Sequence, residues 1–216
     1  HGLTGPAPDN DYRIENYVSD LSMVVDHIGI DRFVLVGHSM GGRISARYTL
    51  ERPERVNNLV LVSASGAPAK EDRSPPMALR AMKNPFGRFL IRRIWSRSMA
   101  KKSLEDMVFD GSSITDEEID RMWDFSIYPG NMDAMFQEFR ETWAAFDPAD
   151  IKEITTNTLL IWGKEDSICP ESMGIWYDSH LPNSTMVVIP NIGHNPHFEC
   201  PNRCSDEISS WLAALT

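Results

Sequence analysis

The chain predicts an α/β fold: a parallel sheet of about four strands with a helical segment inserted into it. Three observations carry this. Short apolar runs rich in β-branched residues, Phe33–Val36, Val56–Val62, Thr158–Trp162 and Thr185–Ile189, alternate with stretches of helical periodicity. Strands that alternate with helices form parallel sheets covered on both faces. Between the second and third runs, residues 67–148 break the alternation and read as helix throughout. The sheet domain is therefore expected from 1–66 together with 149–216, and the insertion from 67–148.

Composition narrows the function classes. A chain of 216 residues with 42% hydrophobic content can bury one sizeable core. A net charge of −10 argues against nucleic acid as the main partner. No apolar run approaches the length of a membrane span. Cys169, Cys200 and Cys204 match neither a disulfide framework nor a zinc pattern, which fits a reducing compartment or incidental thiols. A cytoplasmic setting is expected, and the chemistry read below implies no metal or organic cofactor.

Taken in order, residues 1–11 are a Gly-, Pro- and Asn-rich loop. Ile14, Tyr17, Val18, Leu21, Val24, Val25 and Ile28 recur at helical spacing and predict a helix with one buried face, closed by Gly29. The first strand leads into Gly37-His38-Ser39-Met40-Gly41-Gly42, and a second helix runs from there until Pro53 stops it. G-x-S-x-G between a buried strand and a helix is the setting of a strained serine turn that exposes a hydroxyl.

In the insertion, Lys70–Lys102 holds ten bases against two acids, and Glu105–Glu153 fourteen acids against three bases. Two such halves can pair, although solvated helix faces account for most of these charges. Thr115-Asp116-Glu117-Glu118 predicts a capping box. Asn131 is expected to cap a further helix carrying Met132, Met135, Phe136, Phe139 and Trp143. Met77, Met82, Phe86, Met99, Met107, Trp123, Met132 and Met135 are expected to form mostly the insertion's own core, a minority lining an adaptable pocket. Later, Met173–His180 and Ile208–Leu215 read as helices, and Trp162 as core.

Reactive side chains fall after three strands: Ser39, then Glu165 and Asp166, then His194 and His197. Sites of open parallel sheets lie at these carboxyl ends. A serine hydroxyl needs a neutral imidazole to take its proton and an acid to orient that imidazole. Glu165 and Asp166 compete for the acid's place, and His194 and His197 for the base's. His38 is expected to shape the pocket.

These motifs together resemble the α/β-hydrolase superfamily, in its lid-bearing esterase, lactonase and carbon–carbon hydrolase branch. Gly37-His38-Ser39-Met40-Gly41-Gly42 is similar to that family's nucleophile elbow. Trp162-Gly163-x-x-Asp166-x-x-x-Pro170 is similar to its acid loop, and Gly193-His194-x-Pro196-x-x-Glu199-x-Pro201 to its histidine loop. The resemblance implies Ser39 as nucleophile, His194 as general base, Asp166 as the orienting acid and the Met40 backbone N–H as one oxyanion donor. The second donor is unknown.

The activity expected is hydrolysis of small carboxylic esters through an acyl-enzyme. A lactonase, a carbon–carbon bond hydrolase or a catalytically weak self-association module are the alternatives. The four strands resemble the last four of the family's eight, and His1–Gly5 the loop after its fourth, so the first half of the sheet is expected to be absent. Phe33–Val36 then becomes an apolar sheet edge, expected to pair with a second copy or a complementary fragment.

Overall fold

The structure, a computed structural model, describes residues 2–68, 84–141 and 144–215. In chain order the elements are α1 (Ile14–His27), β1 (Phe33–His38), α2 (Met40–Glu51), β2 (Val56–Val62), α3 (Pro85–Ile94), α4 (Arg97–Glu105), α5 (Asp116–Ile127), α6 (Asn131–Glu138), α7 (Pro148–Lys152), β3 (Thr158–Gly163), α8 (Glu171–His180), β4 (Ser184–Ile189), α9 (Pro196–Glu199) and α10 (Pro201–Ala214). The described residues divide into two compact units. One takes 2–16, 84–106 and 111–141; the other takes 17–68, 107–110 and 144–215.

The second unit holds the four-stranded sheet, in the order β1-β2-β3-β4 with every pair parallel. Side chains alternate across it, as the period of two requires. Leu59, Leu61, Leu160 and Trp162 face one core with Val18, Ala46, Tyr48, Ile151 and Tyr177. Val60, Val62, Leu159 and Ile161 face another, closed by Cys204, Ile208 and Trp211 of α10. β2 and β3 are buried almost throughout, hence their near-continuous apolar sequence. On β1, Phe33 and Leu35 pack on the first core, while Val34 and Val36 are 37% and 51% exposed.

Two details differ from the sequence expectation here. α1 was expected to bury Val24 and Ile28, yet both are exposed together with Met23. Its inward stripe is narrower, with Val18, Ser22 and Val25 buried and Leu21 packed beside them. β1 also runs on through Gly37 to His38, which places His38 opposite Val62 in the sheet register.

The first unit is helical. α3 is capped by the Asn84 side chain, which accepts from the Phe86 N–H at 2.9 Å. α5 starts at the expected capping box: Glu118 N–H donates to the Thr115 hydroxyl, and Thr115 N–H to the Glu118 carboxylate. Asn131, by contrast, is not a cap. Gly130 takes that place at φ 86°, and the buried Asn131 amide donates to the carbonyls of Gly2 and Phe125. Buried apolar side chains among the described residues here include Tyr12, Ile91, Ala100, Ile119, Ala134 and Phe136. Phe86, expected in this core, is exposed. Met99, Trp123, Met132 and Met135 are half-buried, and Met107 groups with the sheet unit instead. Met77, Met82 and Trp143 lie outside the described residues. The two charge classes do meet: Arg97 pairs with Asp116 and Asp120, and Arg92 with Asp133. These are exposed pairs, screened by solvent, and add little to stability. Among the described residues no helix is long and apolar enough to cross a membrane.

Candidate active site

Ser39 sits between the last residue of β1 and the first of α2. Its φ of 53° and ψ of −119° are rare for a residue with a side chain. The turn is over-determined by its hydrogen bonds. Ser39 N–H donates to Val62 O at 3.0 Å, and Ser39 O accepts from Ser65 N–H at 2.9 Å and Arg43 N–H at 3.2 Å. Its side chain makes no capping bond to α2, so the hydroxyl is left for other use. The glycine requirement is specific. A Cβ on Gly37 would lie 2.5 Å from Gly41 O, and one on Gly42 would lie 2.5 Å from the Ala64 Cβ. Gly41, although part of G-x-S-x-G, has open space there.

Asp166 lies in the loop after β3. Its carboxylate is buried, and Oδ1 accepts from the N–H groups of Ile168 and Cys169, both at 2.8 Å. Such donors hold an ionised carboxylate in a buried position and fix its orientation. The Trp162 indole braces the same loop, donating to Cys169 O at 2.8 Å.

His194 lies in the loop after β4 and is 4% exposed. Its Nδ1 is 2.9 Å from Asp166 Oδ2 and 3.1 Å from Oδ1, and its Nε2 is 2.9 Å from Ser39 Oγ. A carboxylate only accepts, so Nδ1 carries the hydrogen and Nε2 offers a lone pair to the serine hydroxyl. Ser39, His194 and Asp166 are thus brought together in the order of proton transfer. The other two candidates are used differently. Glu165 accepts from the Ile192 N–H at 3.1 Å, and the His197 ring packs on His38 with centroids 4.5 Å apart.

Several supports were not legible in the sequence. The His194 N–H donates to Met107 O at 2.8 Å, although Met107 was expected in the insertion's core. Glu199 accepts from the N–H groups of Gly193, Asn195 and Phe109, tying the histidine loop to residues 107–110. Only its place in the histidine-loop motif singled it out. The Cys169 thiol is pushed up to about 12 by burial and by the Asp166 charge, against a hydrogen bond with the Ser39 side chain. Met40 opens α2, and the first N–H groups of a helix have no acceptor within it, as an oxyanion donor requires. Among the described residues, no group of three His, Cys, Asp or Glu side chains is arranged to hold a metal ion.

A parallel sheet that presents a strained serine, a buried carboxylate and a histidine after three of its strands defines a hydrolase of the α/β class. The chain belongs to the alpha/beta hydrolase fold family, whose model matches residues 1–201. It is 31% identical over 205 residues to the uncharacterized hydrolase YugF of Bacillus subtilis, covering 93% of this chain and 72% of that one. It is 29% identical over 179 residues to a 2-hydroxy-6-oxo-6-phenylhexa-2,4-dienoate hydrolase of Burkholderia cepacia, covering 82% and 61%. This chain therefore spans less than two thirds of the second relative. Among solved structures, the meta-cleavage product hydrolase CumD of Pseudomonas fluorescens IP01 superposes with a TM-score of 0.81 at 23% identity, over 97% of this chain and 75% of that one. That likeness is one of fold.

Proposed function

We propose that this hydrolase works through Ser39, His194 and Asp166, and that its substrate is a 6-oxo-2,4-dienoate cleaved at a carbon–carbon bond. The observation that carries the chemistry is the unbroken chain of contacts from Ser39 Oγ to His194 Nε2 and from His194 Nδ1 to Asp166. Ser39 Oγ attacks the 6-oxo carbonyl as its proton passes to His194. The tetrahedral oxyanion forms beside the Met40 N–H. With the dienol first ketonised, its 2-hydroxyl proton moved to carbon 5, the bond between carbons 5 and 6 breaks and the electron pair delocalises onto the 2-oxo oxygen. His194 returns the proton to that dienolate, and an acyl-serine remains. Water, deprotonated by His194, then releases the acid. Asp166 keeps Nδ1 protonated and offsets the imidazolium charge in both halves.

The substrate class rests on relatives named for 2-hydroxy-6-oxo acids, from Burkholderia, Cupriavidus and others, at 25–29% identity. The expected carboxylic-ester hydrolysis is the second reading. It draws on the same contacts, because a general acid on His194 serves an alkoxide leaving group as well as a dienolate.

The deciding experiment compares turnover of 2-hydroxy-6-oxo-6-phenylhexa-2,4-dienoate with that of p-nitrophenyl acetate, each with Ser39→Ala as control. Preference for the dienoate, lost in Ser39→Ala, is expected. Preference for the ester, equally lost, moves the assignment to the second reading. Turnover that survives Ser39→Ala removes both.

A further inference from the structure

His38 precedes the serine, and its ring joins two loops. Its Nε2 lies 2.8 Å from the carbonyl oxygen of His194. A carbonyl only accepts, so Nε2 carries the hydrogen. The ring stands between two other imidazoles, with centroids 4.8 Å from His194 and 4.5 Å from His197. Burial lowers His38 to about 4; the neighbouring His194 and His197 act in the same direction, while the bond to the His194 carbonyl and the Asp166 charge oppose it. Burial and His194 lower His197 as well, against Glu199. Near neutral pH, His38 therefore brings a fixed donor and no positive charge to the site.

We propose that His38 is a positioning residue, whose Nε2–H clamps the His194 main chain and so holds the His194 imidazole at hydrogen-bonding distance from Ser39. The clamp rests on the assignment of Ser39 and His194 as nucleophile and base. Its foundation is the sheet: His38 ends β1 and is paired with Val62. The peptide groups on either side of the His194 Cα are then both held, the N–H by Met107 O at 2.8 Å and the C=O by His38. Asp166 orients the ring, but a ring on a loose main chain still shifts as a whole. A misplacement of about 1 Å lowers turnover about 10²-fold.

The test pairs His38→Gln with His38→Asn. The glutamine amide nitrogen reaches the place of Nε2, whereas the asparagine nitrogen stops at the place of Nδ1. We expect His38→Asn to lower kcat about 10- to 100-fold at unchanged KM, and His38→Gln to recover most of that loss. The acid limb of the pH–rate profile keeps its midpoint in both, because His38 holds the base without being it. Equal loss in Gln and Asn, no loss in Asn, or a displaced acid limb overturns the clamp. Long-range ¹⁵N correlation spectra of the unmutated protein give a readout free of any folding defect. Neutral His38 protonated on Nε2 is expected, and protonation on Nδ1 overturns the proposal. Ser39→Ala separates the two levels. If it abolishes turnover while Gln and Asn at position 38 behave alike, the clamp fails and the triad stands; if turnover survives it, the triad itself fails.

Discussion

A half-buried histidine held neutral is a liability in acid, and at the residue scale His38 makes this measurable. Its folded-state value is depressed to about 4, against about 6.5 in an unfolded chain. Between those limits the unfolded state binds a proton that the folded state refuses, so stability is full above pH 6.5 and declines as pH falls toward 4. Thermal melts are expected to show this decline in the unmutated protein and a shallower one in His38→Gln, where the proton uptake is gone. Parallel curves would place the acid sensitivity on other groups. Asp166 answers to a different logic. In Asp166→Asn the amide presents an NH₂ group to the imidazole and favours the wrong tautomer, with Nε2 protonated against the Ser39 hydroxyl. Turnover is expected to fall about 10⁴-fold with the fold intact by circular dichroism. A loss of tenfold or less would mean that Asp166 does not set the tautomer of His194.

At the scale of elements, the site is a set of strand ends held in register by loops that touch. The elements themselves were largely legible: the apolar runs of β2 and β3 could be read because burial on both faces leaves little room for polar residues. What joins them was not. Met107 meets His194 through a carbonyl that every residue possesses, so no side-chain pattern announces it. Asn131 read as a cap because of its residue type, but a glycine at positive φ precedes it and the amide is spent on two buried carbonyls. Gly163 shows how close the acid and histidine loops come. A Cβ there would lie 2.5 Å from Ile192 O and closer still to Gly193 O. Gly163→Ala is therefore expected to part the two loops, destabilise the fold by about 1–3 kcal/mol, and lower turnover by more than the unfolded fraction explains. Measuring kcat well below the melting transition checks this. Unchanged kcat there would show that the loops move together.

For the molecule as a whole, β1 carries both the chemistry and an unfinished surface. Among the described residues it is an outer strand of the four-stranded sheet, and its Val34 and Val36 are exposed. The edge was expected from the resemblance of the four strands to the last four of the family's eight, and Phe33–Val36 contains no charge or proline to blunt it. The sequence did not foretell that Met23 and Val24 of α1 and Ile28 after it are exposed as well, since helical spacing marks apolar positions without saying which are covered. An apolar strand edge is a template for a further strand, and at raised concentration the chain itself is the nearest supply. This 216-residue chain by itself is expected to sediment as species larger than 24.5 kDa, in proportions that rise with concentration. Val36→Lys places a charge on the exposed side of the edge strand without touching Ser39 or His194. It is expected to shift the distribution toward the single chain while leaving Ser39-dependent turnover per chain in place. A monomeric unmutated protein across the concentration range would show that this edge is not used for self-association. Loss of turnover together with the larger species would instead mean that the catalytic strand depends on a neighbour for its own order.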